Sequence, residues 1–254
     1  MKQVLFWLFG IALGLVIAFY SDLVNWMPGR ERLYRPNTKS EHRYSAEGLE
    51  VYRNNHFDIL VFDPDAFEFG VRRSRPEDAD FFINSNFFTK YGNRPIGLVV
   101  EDGRKVSSSV RGGGCFFVRG KKPQVSIGSC PSNVRQASQT IFWAIRNGKP
   151  NRKLVRDRWS NRKEFRSFIG IDRSGQVVVV VSRLGGIATV GDAVDTGLEF
   201  GVVNGLLLDG GSSVEYAYSD GTFSSRFRAL SASLKKLRGI PEPPVFIVAE
   251  RRSK

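Results

Sequence analysis

The chain has 254 residues, of which 41% are hydrophobic, so its composition excludes a disordered polypeptide and allows one large domain or two small ones. Its 38 lysines and arginines outnumber 25 acidic residues, giving a formal net charge of +13. This charge favours anionic partners such as phosphate esters, polymer phosphates or lipid headgroups. No zinc-finger spacing or RNA-binding aromatic motif accompanies it, so a nucleic-acid partner is not expected.

The N-terminus predicts a membrane segment. Residues 4–20 read VLFWLFGIALGLVIAFY, seventeen positions without a charge. This length is at the lower limit for a spanning helix, and no small-x-small cleavage motif follows Ala18. We therefore expect residues 1–20 to be an uncleaved membrane anchor, with a cleaved signal segment as the alternative. More basic residues follow the segment than precede it, so the charge bias leaves its orientation open.

A linker and a series of short strands are predicted next. Residues 21–48 are polar and contain Pro28, Gly29 and Pro36, which is typical of a linker, and residues 49–254 are expected to form the folded domain. Short apolar runs bounded by turn-forming residues predict strands over residues 57–62, 67–71, 80–83, 96–100 and 115–118. Residues 139–146 predict a short helix.

The second half of the chain predicts a hairpin, a helix and a final strand. The runs 165–171 and 176–181 flank an Asp-Arg-Ser-Gly turn, which is typical of a β-hairpin. Residues 189–200 have helical spacing, with Asp192 near the start and Gly201 after the end. A buried strand over 205–209 and a closing strand over 244–249 follow. The whole pattern predicts an α+β fold, a mixed β-sheet domain with few helices, preceded by an N-terminal transmembrane or signal helix.

The most specific chemical motif is LDGGSS at residues 208–213. It places the carboxylate of Asp209 at the end of an apolar strand, and Gly210, Gly211 and Ser212 follow. Glycines allow close approach of the backbone to a ligand, and successive N–H groups can bind an anion or a sugar. The alternative is that Asp209 only caps a tight turn.

Two weaker clusters also contain candidate binding residues. Asn84 and Asn86 follow an apolar run and would point to one side of an extended chain, where their amides could bond sugar hydroxyls or turn backbone. Arg111 precedes three glycines, but the loop lacks the spacing of a phosphate-binding motif.

The cysteines and histidines give little evidence of a metal site. Cys115 and Cys130 are fifteen positions apart and could form a disulfide in an oxidising compartment. His42 and His56 lack partners at zinc-ligand spacing, so both are interpreted as surface residues and no metal ligands are predicted. No cofactor motif is evident, and dependence on a divalent cation stays open.

The order of these motifs resembles that of the phosphodiester glycosidase domain family. Asn84 to Phe88, Arg166 with the following Ile-Gly-Ile-Asp, the helix from Thr189, and the Asp209 motif occur in the family's order, over about residues 57–249. The family includes the N-acetylglucosamine-1-phosphodiester α-N-acetylglucosaminidases and bacterial exported proteins. The chain departs from it at Ser85 and Asn86, and at Ser212, where the family usually has small residues or glycine, which puts the sugar specificity in doubt.

The resemblance implies a hydrolase that cleaves the glycosidic bond of a sugar-1-phosphodiester, of the N-acetylglucosamine type or on a related surface glycan. The implied roles are Asp209 as base or nucleophile, Arg166 and Arg111 as phosphate clamps, Asn84 and Asn86 as sugar binders, and the Gly210, Gly211 and Ser212 turn as a substrate contact. Glu215 is a candidate second carboxylate. The body is expected in the periplasm or the extracellular space.

Other functions fit the same residues. The chain could be a non-catalytic module that binds anionic cell-envelope polysaccharides through its basic surface. A phosphodiesterase would use similar contacts but cleave at phosphorus. The oligomeric state stays open.

Overall fold

The computed structural model describes residues 37–89, 93–237, 239 and 241–252, and these residues are mostly in β-strands. The described chain forms eighteen strands: β1 (Glu41–Ala46), β2 (Leu49–Arg53), β3 (Phe57–Phe62), β4 (Phe67–Arg72), β5 (Phe81–Asn84), β6 (Val99–Glu101), β7 (Arg104–Ser107), β8 (Gly114–Arg119), β9 (Lys122–Ile127), β10 (Gln136–Thr140), β11 (Phe142–Arg146), β12 (Lys149–Pro150), β13 (Ser167–Asp172), β14 (Val177–Ser182), β15 (Val202–Leu207), β16 (Glu215–Ser219), β17 (Ser224–Arg228) and β18 (Phe246–Arg251). The described helices are α1 (Arg152–Arg156), α2 (Val190–Glu199) and α3 (Ala232–Leu237).

The strands form three sheets. The large sheet has the spatial order β1-β2-β3-β14-β13-β15-β11-β12. A second sheet has the order β7-β6-β10-β8-β9, and a third has the order β17-β16-β5-β18-β4. Every pairing between strands of the described residues is antiparallel. The predicted β-rich fold with few helices is confirmed, but the expected mixture of parallel and antiparallel pairing is not observed.

Helix α2 explains why the sequence suggested parallel strands. A helix between two strands usually joins parallel neighbours, and α2 connects β14 to β15. Here β13 lies between those strands and is antiparallel to both, because it forms a hairpin with β14 first. The helix itself is where the sequence predicts it. Thr189 caps its N-terminus by accepting from the Asp192 N–H at 3.1 Å, and the Asp192 carboxylate accepts from the Thr189 N–H at 2.8 Å.

Two hydrophobic cores lie on opposite faces of the large sheet. In β3, Leu60 and Phe62 face a core shared with the second and third sheets, whereas Ile59 and Val61 face a core covered by α2. Both faces of the central strands are thus buried. This burial explains why residues 59–62 of β3 and 177–181 of β14 are continuous apolar runs rather than alternating ones.

The helix predicted for residues 139–146 is wrong. This stretch contains the end of β10 and the whole of β11, which belong to different sheets. The chain passes from the second sheet to the large sheet at Ile141. A short apolar run fits either a helix or a strand, and here pairing with β8 and β15 determines the outcome.

The predicted anchor or signal segment of residues 1–20 lies outside the described residues. Within the described part of the chain, no helix is long and apolar enough to cross a membrane. The predicted linker of residues 21–48 overlaps β1, so the folded chain begins before the expected boundary at residue 49. The sequence did not indicate β1 because it is a mostly exposed edge strand, in which only Tyr44 and Ala46 are half-buried.

Candidate active site

The Asp209 motif forms a turn at the end of β15. The Asp209 N–H donates to the carbonyl of Ser85 at 3.0 Å. Its own carbonyl accepts from the Asn84 Nδ2 and from the Ser167 Oγ, both at 2.8 Å. Residues at the ends of β5 and β13 therefore fix the backbone of Asp209 between the large sheet and the third sheet.

Gly210 and Gly211 let this turn pass close to the segment that precedes β13. A Cβ on Gly210 would lie 2.9 Å from the carbonyl oxygen of Phe165, and the Gly211 N–H donates to that oxygen at 2.8 Å. Gly211 also has φ +62°, a conformation that residues with side chains disfavour. The glycine pair is thus required by the backbone of the turn. The Gly210 N–H also donates to the Asp209 Oδ1 at 3.1 Å.

The Asp209 carboxyl has a strongly shifted protonation equilibrium. Burial raises the pKa of Asp209 from 3.8 to about 7. Hydrogen bonds with the Ser213 side chain and the Gly210 N–H, and the charge of Lys235, oppose this shift without cancelling it. The carboxyl is therefore divided between its protonated and ionised forms near neutral pH. A carboxyl perturbed in this way is typical of catalytic sites.

A cavity of about 250 Å³ opens beside this carboxyl, and we call it the Asp209 cavity. Its lining includes Asp209, Gly210, Gly211 and Arg166, four of the residues that the sequence singled out. The structure therefore brings the predicted catalytic acid and arginine together. Ser212 follows in the short 3-10 turn Gly211–Ser213 and is not part of this lining.

Arg166 is held rigidly in the wall of the Asp209 cavity. It is 5% exposed, its Nη2 donates to the carbonyl of Arg162 at 2.6 Å, and its Nε donates to the carbonyl of Ala188 at 3.3 Å. Its guanidinium also lies over the Trp159 ring, 5.6 Å from the ring centroid. A Cβ placed on Gly210 would be 3.9 Å from its Nη1. The guanidinium charge is thus fixed next to the Asp209 turn.

The sequence assigned no role to four other residues in the lining. Glu164, Arg162, Trp159 and Phe87 all border the Asp209 cavity. The Glu164 Oε2 is 3.9 Å from the position that a Cβ on Gly211 would take, so this carboxylate reaches the turn. The signal available in the sequence was proximity alone, because Arg162 and Glu164 shortly precede Arg166. The cavity therefore contains two carboxylates, two arginines and two aromatic side chains.

Asn84 and Asn86 are buried in internal hydrogen bonds. Asn84 is fully buried, and its Oδ1 accepts from the Glu215 N–H at 3.0 Å while its Nδ2 serves the Asp209 carbonyl. Asn86 is 1% exposed, and its Nδ2 donates to the carbonyl of Gln139 at 2.5 Å while its Oδ1 accepts from Ser138. Both amides hold neighbouring segments together, and neither borders the Asp209 cavity. Their predicted contact with a sugar stays a prediction.

Glu215 borders a different cavity from Asp209. It is 1% exposed and pairs with the Arg75 Nε at 2.8 Å, the Arg228 Nε at 3.3 Å and the Lys235 Nζ at 3.9 Å. Burial raises its pKa, and these cations act against that rise. The second carboxylate of the Asp209 cavity is Glu164 rather than the predicted Glu215.

Arg111 is also separated from Asp209. It is exposed and lines a wider cleft of about 680 Å³, beside Cys130. Cys130 forms a disulfide with Cys115, with 5.1 Å between their Cα atoms, so the pairing that the sequence allowed is present. His56 is 2% exposed, which corrects its interpretation as a surface residue. The structure places it at the start of β3, against Phe57.

The profile of the phosphodiester glycosidase family matches residues 77–241. The chain belongs to this family. The match contains Asn84, Arg166 and Asp209, so the resemblance suggested by the order of the motifs is confirmed. Membership in the phosphodiester glycosidases indicates a hydrolase that acts on phosphodiester glycosides. No curated relative matches the chain.

Two solved structures share the fold of this chain. A hypothetical protein from Synechocystis has a TM-score of 0.59 and 14% identity, covering 85% of this chain, which spans 64% of that protein. The catalytic domain of zebrafish N-acetylglucosamine-1-phosphodiester α-N-acetylglucosaminidase, auto-inhibited by its pro-peptide, also has a TM-score of 0.59 and 14% identity. That match covers 85% of this chain and 83% of the zebrafish domain. At this identity both comparisons show the fold alone.

The described part of the chain contains no group of three or more His, Cys, Asp or Glu side chains that could hold a metal ion. The polar side chains of the Asp209 cavity are two carboxylates and two guanidinium groups. Residues of these types can provide proton transfer and anion stabilisation directly.

Proposed function

We propose that the chain hydrolyses the glycosidic bond of a sugar-1-phosphodiester and releases a reducing sugar and a phosphate monoester. One observation carries the proposal: Asp209, with its pKa raised to about 7, shares a cavity with the buried guanidinium of Arg166. A glycosidase needs a carboxylate at the anomeric carbon, and a departing phosphate needs a fixed positive charge. Family membership supports the same reaction class.

The leaving group determines which catalytic groups are needed. A phosphate monoester has a second pKa of about 6, so it leaves without a strong proton donor. The bond from the anomeric carbon to the phosphate oxygen breaks and its electron pair stays on the phosphate, beside Arg166. Ionised Asp209 acts at the anomeric carbon, either as the nucleophile or as the base that takes a proton from the attacking water.

Glu164 is proposed as the second carboxylate of the reaction. It borders the Asp209 cavity, whereas Glu215 does not. In this assignment Asn84 positions Asp209 through a hydrogen bond to its main-chain carbonyl, and Asn86 holds the neighbouring segment at Gln139 in place. Trp159 and Phe87 offer aromatic faces to a sugar ring in the same cavity.

The substrate is proposed to be an N-acetylglucosamine-type sugar phosphodiester on a surface glycan. The net charge of +13 suits an anionic glycan. The Cys115–Cys130 disulfide supports a location in an oxidising compartment such as the periplasm or the extracellular space. The apolar stretch of residues 4–20 is proposed to attach the chain to the membrane.

Hydrolysis of sugar-1-phosphodiesters in ¹⁸O-labelled water tests this function. The full chain is incubated with a panel of sugar-1-phosphodiesters, and the reducing sugar and the phosphate monoester are analysed by mass spectrometry. We expect label on the anomeric oxygen of the sugar and none on the phosphate. Label on the phosphate would instead show a phosphodiesterase that cleaves at phosphorus.

An Asp209→Asn variant separates the enzyme from a binding module. We expect the variant to bind the substrate panel with little change and to lose turnover. If the wild-type chain binds anionic polysaccharides but turns over no member of the panel, the non-catalytic alternative is correct.

A further inference from the structure

A second cavity, lined by arginines, lies on the outer face of the third sheet. Residues Arg226 and Arg228 are two apart in β17, so both point to the same face of the sheet. They lie opposite Ala217 and Glu215 of β16 in the strand register. The intervening Tyr216 points to the main core on the other face. The register therefore aligns two arginines and a carboxylate on the face of the sheet opposite the main core.

Arg75 adds a third guanidinium to this face. It follows β4, lies over the Phe82 ring at 5.5 Å from the centroid, and reaches the Glu215 Oε1 at 2.8 Å. The resulting cavity has a volume of about 250 Å³ and includes Arg75, Glu215, Arg226 and Arg228 in its lining. We call it the arginine cavity. Three cations and one carboxylate give its lining an excess of positive charge.

Lys235 adds a fourth cation beside Glu215, so the three carboxylates around this cavity do not fully neutralise the cluster. Glu215 pairs with Arg75 and Arg228, and Glu242, outside the lining, accepts from the Arg228 Nη2 at 2.8 Å. Exposed Glu77 approaches the Arg75 Nη1 at 3.2 Å. Arg226 is exposed and forms no ion pair or hydrogen bond within the described part of the chain. It is therefore available to a ligand at the mouth of the cavity.

The arginine cavity and the Asp209 cavity are built on the same short segment. Asn84 contacts the backbone of both Asp209 and Glu215, at 2.8 and 3.0 Å. Lys235 approaches Glu215 at 3.9 Å, and its charge also acts on Asp209. Asn84 and Lys235 therefore connect the Asp209 turn to a carboxylate that lines the arginine cavity.

We propose that the arginine cavity is a subsite for an anionic group on the aglycone of the substrate, beyond the phosphodiester that is cleaved. This inference rests on the proposed function. Guanidinium groups bind phosphate or carboxylate through paired hydrogen bonds, and Glu215 holds two of them in place. Leu184, which is 57% exposed at the cavity, offers an apolar contact to the carbon chain that bears the anion. The preferred substrates would thus carry a second negative charge.

A pair of matched substrates tests the subsite. One is the methyl phosphodiester of N-acetylglucosamine 1-phosphate, and the other has glycerol 3-phosphate in place of methanol. We expect the wild-type chain to prefer the second substrate in kcat/KM, and Arg226→Ala to reduce that preference about tenfold, mainly through KM. The control is Arg173→Ala, which removes an exposed arginine from the β13–β14 turn and should keep the preference.

A binding measurement keeps the subsite testable if the proposed reaction is wrong. Glycerol 3-phosphate is titrated into the wild-type, Arg226→Ala and Arg173→Ala chains by calorimetry. Weaker binding to Arg226→Ala alone supports the subsite even if no phosphodiester is hydrolysed. The subsite is wrong if all three chains bind glycerol 3-phosphate equally. It is also wrong if Arg226→Ala has the same substrate preference as the wild-type chain.

Discussion

The side-chain amide of Asn84 donates to the main-chain carbonyl of Asp209 at 2.8 Å, so a residue at the end of β5 determines where the acid of the large sheet lies. The same amide accepts from the Glu215 N–H at 3.0 Å. Asn84 is fully buried, so its removal takes the side-chain acceptor from the Glu215 N–H and leaves the Asp209 carbonyl with the Ser167 Oγ alone.

Asn84→Ala should therefore reduce both stability and activity. We expect the free energy of unfolding to fall by about 1–3 kcal/mol and kcat to fall about tenfold per folded molecule, because the Asp209 turn loses one of its three backbone contacts. Denaturant unfolding and steady-state kinetics measure the two effects. Asn86→Ala is the matched control, since Asn86 is equally buried but does not contact Asp209. If Asn86→Ala raises KM specifically, Asn86 binds the sugar as the sequence predicted.

The raised pKa of Asp209 predicts the pH dependence of turnover. If Asp209 acts as base or nucleophile, only its ionised form is active, and that form increases as pH rises through about 7. We expect kcat/KM to rise about tenfold per pH unit below 7 and to level off above it. A pH–rate profile with a substrate that does not titrate in this range measures the effect. A rate that falls above pH 7 would assign Asp209 as an acid instead.

The same shift predicts how Asp209→Asn changes stability. The folded state raises the pKa from 3.8 to about 7, so between these values the folded chain keeps a proton that the unfolded chain has lost. Wild-type stability therefore falls as pH rises across this range, whereas the amide variant lacks this contribution. We expect the variant to gain stability relative to wild type from pH 4 to pH 7, by at most about 4 kcal/mol. Denaturant unfolding at both pH values measures it, and a constant difference would contradict the shift.

Glu164→Gln and Glu215→Gln should affect different properties. Glu164 borders the Asp209 cavity, so its amide variant should lose kcat while keeping its unfolding midpoint. Glu215 is buried among Arg75, Arg228 and Lys235, and its neutralisation leaves those cations uncompensated. We expect a loss of about 3–5 kcal/mol in stability for Glu215→Gln. Should Glu215→Gln stay stable and lose only kcat, the assignment of the two carboxylates is reversed.

The disulfide should stabilise the second sheet. Cys115 and Cys130 close a loop of fifteen residues, for which the loss of chain entropy in the unfolded state corresponds to about 3 kcal/mol. The free energy of unfolding of the double variant Cys115→Ser/Cys130→Ser should be lower by about that amount, measured by denaturant unfolding. Wild-type chain treated with a reducing agent provides the comparison. Equal midpoints for oxidised and reduced wild type would contradict the prediction.

The sequence predicted those parts of the fold that local patterns determine. The apolar run of β3, the hairpin of β13 and β14, and the capped helix α2 depend on neighbouring residues. The failure at residues 139–146 has a long-range cause. The run divides at Ile141 between two sheets, and its pairing partners β8 and β15 are distant in the sequence.

The site was predictable to a similar extent. The acid of Asp209 and the charge of Arg166 could be identified because motif order places both in one family. The contribution of Glu164 could not be predicted, because an acid two positions before an arginine is not a motif that distinguishes a catalytic site. The pairing of Arg75 with Glu215 depends on the third sheet bringing together residues 140 positions apart, and no local pattern encodes that distance.

The two hydrogen bonds of Asn84 also bear on how a substrate would be received. One rigid amide joins the backbone of the acid to the backbone of the strand that carries the arginine cavity, so the spacing between these regions is set when the protein folds. A substrate with matching charges would meet a preformed template, and little binding energy would go into rearranging the protein. The protein would then select among otherwise similar glycans by the number of atoms that separate the cleaved bond from the second anion of the substrate.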